Sequence, residues 1–436
     1  MAKRGFENNP ELSPGHRRVV LHFEVDKRTA IGANGRSDFN PQQIGEMTVA
    51  DDAVSTVPVF EAARGDSVVQ NISCRIVTFV YGGGYEAGIS DTTVTPIRAS
   101  GIRGQLRWWW RCTRGADAPD FRDLKRREDR IWGATDRRSR VTVEVIRAQL
   151  AGGIDAKRNQ EGRQHYDEPR YALFPAQSDP VRKIHKDGSF TLRVRYPEEL
   201  QEDVTVALRA FFWFGGIGAR TRRGLGALLC ESGSGFSVAG PNFQFGGLAH
   251  PAAQPEWAVL SGSRYVIGAK MSPINAWLRA VELMKNYRQA RREGQGNRPG
   301  RSYWNEPDAI RHLRNAASDN HTQRVTEGDI FPRGQLGLPI IFHFKSTRPG
   351  DPADNTLELD TDHDRMASPV ILRPLVISDR EAYPLCLVLN APPSPRQFLL
   401  KQANAPNLVV EAGGFDLLEG LLQTAEQVWK TKRRSL

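Results

Sequence analysis

Pro96-Ile-Arg-Ala-Ser-Gly-Ile-Arg-Gly-Gln-Leu-Arg-Trp-Trp-Trp-Arg111 carries the clearest helical pattern in this sequence. Ser100 is a typical N-cap residue, so we expect a helix over residues 102–114. On a 3.6-residue period one face is apolar and the opposite face is basic. The apolar set is Ile102, Leu106, Trp109 and Trp110, and the basic set is Arg103, Arg107, Arg111 and Arg114. The pattern therefore predicts an amphipathic helix whose polar face is purely cationic.

Arginines along one helix face repel each other, and no acidic residue lies between Ile97 and Arg114 to relieve the repulsion. A phosphate chain along that face would relieve it, because the planar guanidinium donates two hydrogen bonds at once. The alternative is that these arginines are solvated or pair with acids from elsewhere in the fold. Trp109 and Trp110 are expected in the core, while Trp108 points off the apolar face.

A second segment, Gly215-Gly-Ile-Gly-Ala-Arg-Thr-Arg-Arg-Gly-Leu-Gly226, follows a predicted helix. It lacks the GK[ST] ending of a nucleotide-binding P-loop. Small residues let another backbone approach, and basic residues attract a sugar-phosphate chain. The glycines are Gly215, Gly216, Gly218, Gly224 and Gly226, and the arginines are Arg220, Arg222 and Arg223. We interpret this loop as an RNA contact. The alternative is a glycine-rich hairpin with incidental arginines.

Composition favours a polyanionic partner. Lys and Arg total 60 against 50 Asp and Glu, which gives a formal net charge of +10 and a pI near 9.6. The four cysteines are too far apart in sequence for a CxxC zinc site, so we expect reduced, mostly buried thiols. Residues 1–14 contain no apolar targeting segment, and no apolar run is long enough to span a membrane. We expect a cytoplasmic, soluble protein without a membrane partner.

The order of predicted elements indicates an α+β fold. Residues 1–70 are interpreted as an N-terminal extension, and a Gly/Pro/Ala-rich segment at 240–255 predicts a boundary between domains at 71–245 and 255–436. Each half mixes short strands with helices, as in a split βαβ arrangement. The strands are predicted at 72–81, 141–147, 189–196, 338–345, 369–377 and 384–390. The later helices are predicted at 197–214, 272–292, 307–317 and 415–431.

The two basic segments together resemble the RAMP superfamily of CRISPR proteins, and in particular subunits of type III-B effector complexes. Two later segments share this resemblance: Gly334-Gln-Leu-Gly-Leu-Pro-Ile340 and Arg365-Met-Ala-Ser-Pro-Val-Ile-Leu-Arg-Pro374. The resemblance implies two ferredoxin-like (RRM-type, βαββαβ) modules and a position near the 3′ end of the CRISPR guide RNA. It implies guide RNA, target RNA and other RAMP subunits as partners, with no cofactor and no metal.

The resemblance also implies which residues contact RNA. Those in the helix are Arg98, Arg103, Arg107 and Arg111. Those in the loop are Gly215, Gly216, Gly218, Arg220, Arg222, Arg223, Gly224 and Gly226. Those in the second half are Lys345, Arg365 and Ser368. Guide–target base pairing would read the sequence, while the protein holds the phosphate backbones.

Catalysis is the competing hypothesis. A RAMP endoribonuclease that processes CRISPR precursor RNA would need a base such as His22 or His165 to activate a 2′-hydroxyl. Related subunits cleave RNA with an early loop aspartate, but we expect no such role for Asp91. The acidic run 358–364 is interpreted as a solvated loop and not as a metal site. A general single-strand binder is a third class, but no exposed aromatic series supports it.

Overall fold

The computed structural model describes residues 4–5, 20–21, 67–82, 97–156, 170–176, 183–231, 235–236, 245, 247–248, 256–293, 301–316, 328–344 and 351–436. The chain forms two compact units, Met1–Gly65 and Asp66–Leu436. In the first unit, β1 (Arg4–Gly5) pairs antiparallel with β2 (Val20–Leu21). The predicted domain boundaries at residues 70 and 245–255 stay predictions.

The second unit alternates strands with helices. Its strands are β3 (Ser67–Ile76), β4 (Val80–Tyr81), β5 (Thr142–Leu150), β6 (Ile154–Asp155), β7 (Lys183–His185), β8 (Gly188–Pro197), β9 (Leu228–Cys230), β10 (Val259–Ile267), β11 (Ile340–Phe342), β12 (Asn355–Glu358), β13 (Val370–Val376), β14 (Ala382–Asn390), β15 (Gln397–Gln402), β16 (Leu408–Glu411) and β17 (Arg434–Ser435). Its α-helices are α1 (Ala99–Cys112), α2 (Phe121–Trp132), α3 (Arg170–Leu173), α4 (Gln201–Phe214), α5 (Pro273–Arg288), α6 (Glu306–Leu313) and α7 (Leu417–Trp429).

The first large sheet has the order β5–β8–β3–β9, and every neighbouring pair is antiparallel. Helices α1 and α4 pack together on one face of it, where the alternate residues of β8 from Phe190 to Tyr196 are buried. The intervening residues, Ser189 to Arg195, lie on the other face, because side chains alternate along a strand. Within the described residues, this sheet therefore has one helix-covered face and one face without such a helix layer, which we call the open face.

The second large sheet has the order β13–β14–β10–β17 and is also antiparallel. Helices α5 and α7 pack on it around buried Met284 and Leu421. In both large sheets the strands, counted along the chain, stand in the spatial order second, third, first, fourth. The mixed helix and antiparallel-sheet content confirms the predicted α+β class.

Two smaller sheets, β11–β12–β15–β16 and β4–β7–β6, complete the unit. Among these strands only β11 and β4 were predicted from the sequence. In the large sheets β9, β10 and β17 were not predicted, and neither were the helices α2 and α3. The missed strands are short or carry no clear alternation of polar and apolar residues, which is the pattern that marks a strand.

The first helix begins earlier than predicted, at Ala99, and its N-cap is Arg98, whose side chain makes no capping hydrogen bond. The prediction of Ser100 as N-cap was wrong. Ile97 is buried and the Arg98 backbone is extended, so the chain enters the helix one turn before residue 102. The other predicted helices are confirmed to within a few residues. All four cysteines are buried and unpaired, and among the described residues no helix has the length and apolarity to span a membrane.

Candidate nucleic-acid interface

The arginines of α1 converge on one carboxylate of α2. Arg107 Nε donates to Glu128 Oε1 over 2.6 Å. Arg111 donates from Nε to Oε2 over 2.8 Å and from Nη2 to Oε1 over 2.7 Å. The Glu128 side chain is only 2% exposed, against 24% for Arg107 and 36% for Arg111. One buried carboxylate therefore ties two arginines of α1 to α2.

The remaining members of the predicted stripe also have protein partners. Arg103 donates to the carbonyl of Trp132 at the end of α2. Arg114, just after α1, contacts Glu202 of α4 with 2.9 Å between Nη1 and Oε1. The arginines of the stripe thus bind groups of α2 and α4 within the protein. This is the alternative in which they pair with acids from elsewhere in the fold.

The expectation of an unrelieved cationic face was wrong because the neutralising acid lies 17 to 21 residues further along the chain. Glu128 is buried in line with Leu124 and Ile131, at i+4 and i+7 on the inner face of α2. An acid at an inward helical position was the signal that could have revealed it.

The tryptophans follow the predicted division between core and edge. Trp109 and Trp110 are 1% and 2% exposed, and Trp110 Nε1 donates to Asp203 Oδ1 of α4 over 2.6 Å. Trp108 is half-buried beneath a loop residue, with the Arg222 guanidinium carbon 5.0 Å from its ring centroid. This cation–π contact occupies the Trp108 face that a base would have used.

Part of the exposed positive charge lies on the outer side of α2. Residues 97–140 contain thirteen Lys and Arg against six Asp and Glu, a surplus of seven in a chain whose net charge is +10. Arg122, Arg126 and Arg130 are exposed and recur every four residues, so they share one face. Only Arg126 contacts an acid among the described residues, namely Asp123 in the preceding turn.

The glycine-rich loop packs against its own protein. Gly224 has φ +79°, and a Cβ there would lie 2.6 Å from the Trp277 ring. Gly226 has φ +64° and is folded onto the backbone of Ile217, whose N–H donates to the Gly226 carbonyl over 3.0 Å. Both positions require glycine because of backbone angle and crowding. Gly215 similarly abuts Trp109, Gly216 abuts Gly226, and Gly218 abuts Tyr81.

Two loop arginines reach the second half of the chain. Arg222 Nη1 donates to the Ser368 carbonyl over 2.8 Å, and Arg223 Nη1 donates to the Val370 carbonyl over 2.9 Å. Arg223 also donates to Ser368 Oγ over 3.3 Å. Burial lowers the pKa of Arg223 to about 10. These arginines therefore join the glycine-rich loop to the segment 365–374.

Arg373 makes the reciprocal connection. It is 1% exposed and donates to the carbonyls of Gly215 and Phe212, which end helix α4. Burial lowers its pKa to about 9, as expected for a cation held by carbonyls alone. We call Arg222, Arg223, Ser368, Val370 and Arg373 the junction, since they link the glycine-rich loop to β13.

Arg220 differs from its neighbours. It has a left-handed backbone with φ +59°, and no ion-pair partner lies within the described ranges. Burial and then repulsion from Arg288 lower its pKa, while the nearby Tyr171 and Tyr81 oppose this. Among the three loop arginines it is the one that the junction does not use.

The other predicted residues are dispersed. Arg98 precedes α1, Arg365 is 78% exposed beside Asp364, and Ser368 belongs to the junction. Lys345, Asp91, His22 and His165 lie outside the described residues. In the acidic run, Asp360 accepts hydrogen bonds from the backbone N–H groups of its own turn. Within the described ranges no three metal-ligating side chains gather as a metal site.

The RAMP superfamily model matches residues 73–229. The CRISPR system Cmr subunit Cmr1-1 of Pyrococcus furiosus is 26% identical over 134 residues, which span 30% of this chain and 40% of that protein. The chain thus matches less than half the length of this curated relative.

Solved structures are similar at lower identity. The crystal structure of Cmr1 from Pyrococcus furiosus in its apo form has a TM-score of 0.47 at 16% identity, covering 84% of this chain and 98% of that one. A chain of the type III-B Cmr-beta complex bound to cognate target RNA has a TM-score of 0.39 at 11% identity, covering 74% and 95%. Residues 73–229 thus match the RAMP superfamily model, and the chain is similar to a Cmr subunit of a CRISPR system.

Proposed function

We propose that this chain is a non-catalytic RNA-binding subunit of a type III-B CRISPR effector complex. It helps to hold guide RNA near its 3′ end and to capture target RNA beside other RAMP subunits. The observation that carries the proposal is the location of positive charge. The residues matched by the RAMP model include the segment 97–140, which holds most of the excess positive charge of the chain. Part of that charge is exposed.

The arginines divide into two roles in this proposal. Arg107 and Arg111 act on RNA through Glu128, because they fix α2 and with it the outer row of arginines. Arg222 and Arg223 act through the junction, which sets the position of the glycine-rich loop. Arg220 is the loop residue we propose as a direct contact. The predictions for Arg98, Arg103, Lys345, Arg365 and Ser368 stay proposals.

The two large sheets support a finer proposal for the fold. Their shared strand order and their paired helices are those of a split βαβ unit repeated in each half. We therefore propose two ferredoxin-like modules, within domains at 71–245 and 255–436. Helix α2 and the sheet β11–β12–β15–β16 are then additions to these modules.

Replacing Arg122, Arg126 and Arg130 together with Gln should weaken binding of single-stranded RNA for all sequences alike. If each contacts one phosphate, the slope of log K against log salt should fall by about 0.7 per arginine. Fluorescence anisotropy with a labelled, unstructured RNA at several salt concentrations measures both quantities. The side chains are exposed, so the unfolding free energy should change by less than about 0.5 kcal/mol.

Arg279 and Arg396, exposed cations of the second half, provide a control that removes two charges elsewhere when both are replaced with Gln. The control should leave the salt slope within error of the original protein. An unchanged slope in the α2 variant would remove α2 from the interface. RNA cleavage by the isolated chain in EDTA would instead favour the endoribonuclease hypothesis.

A further inference from the structure

A groove lies on the open face of the first large sheet. Its volume is about 670 Å³, and strands β3, β5, β8 and β9 form its floor. The turn between β13 and β14, residues 377–379, forms part of its wall. The floor carries hydroxyl and amide groups, from Ser73, Ser189, Thr191 and Gln149. This face is opposite to the one covered by α1 and α4 and shares no residue with α2 or the junction.

The edge of the groove is formed by an irregularity in β5. The register with β8 shifts between Ile146 and Gln149, which is a β-bulge. Arg147, in that bulge, has a left-handed backbone with φ +52°. A side chain other than glycine is strained there, and such outliers and bulges concentrate where a side chain must be aimed at a ligand. Arg147 is exposed and lines the groove.

Positive charge continues from the groove along β8. Arg193 and Arg195 follow Thr191 at two-residue intervals, so all three lie on the open face. Arg193 Nε donates to Asn71 Oδ1 over 2.9 Å, and its Nη1 is 3.8 Å from Glu144. Arg195 is exposed, and like Arg147 it has no ion-pair partner in the described part of the chain. Two cations without an ion-pair partner among the described residues therefore lie on this face.

The groove is also lined by two carboxylates, those of Asp379 and Glu231. Asp379 pairs with Arg75, an exposed contact of little net energy. Glu231, just after β9, lines the groove at the sheet edge opposite to Arg147 of β5. Carboxylates accept hydrogen bonds from the exocyclic amino groups of bases, and hydroxyls bond ribose or base edges. Guanidiniums bind phosphates. Carboxylates, hydroxyls and guanidiniums together fit a nucleotide better than a purely anionic or purely apolar ligand.

We propose that the open face of the first large sheet is a second contact surface for single-stranded RNA. One nucleoside occupies the groove, its base edge bonding to Glu231 or Asp379 and its phosphate lying on Arg147. The RNA strand continues along β8, so that a later phosphate lies on Arg195. The inference rests on the proposed RNA-binding function and extends it to a face that the family-resemblance motifs do not include.

The test uses the full chain with Arg147→Gly and Arg195→Gln. Glycine adopts a positive φ without strain, so the first substitution removes the guanidinium without opposing the fold. Binding of a labelled, unstructured 20-nucleotide RNA should weaken about tenfold or more, and the salt slope should fall by about 1.4 for two phosphate contacts. Thermal unfolding checks that stability is retained.

The Arg279→Gln, Arg396→Gln protein is the control, because it loses two exposed cations elsewhere. Equal affinity and slope in the groove variant and this control would overturn the inference while leaving RNA binding by the chain intact. Absence of RNA binding by the unaltered chain would contradict both the inference and the proposed function. Ultraviolet cross-linking of a 4-thiouridine RNA should modify peptides containing residues 142–150 or 188–197.

Discussion

Replacing Arg107 and Arg111 together with Ala should lower the free energy of unfolding by about 3–5 kcal/mol, the cost of leaving a buried charge without its partners. Glu128 is 2% exposed, and these arginines supply three of its hydrogen bonds. The same variant should weaken RNA binding, because α2 loses its attachment to α1. Urea unfolding monitored by tryptophan fluorescence measures the stability change.

The rescue variant adds Glu128→Leu to the double substitution. Removing the carboxylate eliminates the unpaired charge, so much of the lost stability should return. RNA affinity should return with it if the two arginines only position α2. Recovery of stability without recovery of affinity would show that Arg107 or Arg111 contacts RNA directly. A double variant as stable as the original protein would contradict the claim that Arg107 and Arg111 stabilise the fold through Glu128.

Replacing Arg373 with Ala should destabilise the protein by about 3–5 kcal/mol, comparable to truncating a large buried aromatic side chain. The carbonyls of Gly215 and Phe212 lose their donor, and a cavity opens between α4 and β13. Desolvation of the guanidinium, which lowers its pKa to about 9, offsets part of this loss. Because the junction links the halves, unfolding should separate into two transitions.

Two variants control this experiment. Arg373→Met keeps most of the side-chain volume and removes the buried charge, so it should lose less stability than Arg373→Ala. Its remaining loss of stability comes from the carbonyls of Gly215 and Phe212, which no longer have a donor. Arg380→Ala alters an exposed arginine just beyond β13 and should change stability by less than about 0.5 kcal/mol. A single, unshifted transition in Arg373→Ala would show that the junction carries no stability.

The sequence predicted those parts of the fold that periodicity specifies. Helix α1 with its buried Trp109 and Trp110 is confirmed, because a 3.6-residue apolar pattern is a local signal, but its start at Ala99 was not predicted. Helix α4 and its end at Gly215 are also confirmed, because the glycine is a local helix-end signal. Short strands such as β9 and β12 were missed, since three or four residues carry too little alternation. The α+β class was predictable from the mixture of both patterns.

The arginines were correctly located, but their partners could not be read from local sequence. Glu128 pairs with Arg107 across 21 residues, and Ser368 pairs with Arg223 across 145. Such contacts depend on which elements the fold brings together. A short window of sequence does not contain that information. The glycine-rich loop and the segment 365–374 both carry the family resemblance. They contact each other at the junction, so each supplies the binding partner of the other.

The most direct test of the RNA-binding account is affinity purification of the tagged chain from its native host, with sequencing of bound RNA and mass spectrometry of bound proteins. We expect short RNAs that share a repeat-derived 5′ tag, together with other RAMP subunits. Mixed cellular RNA without such subunits, or no RNA at all, would contradict it.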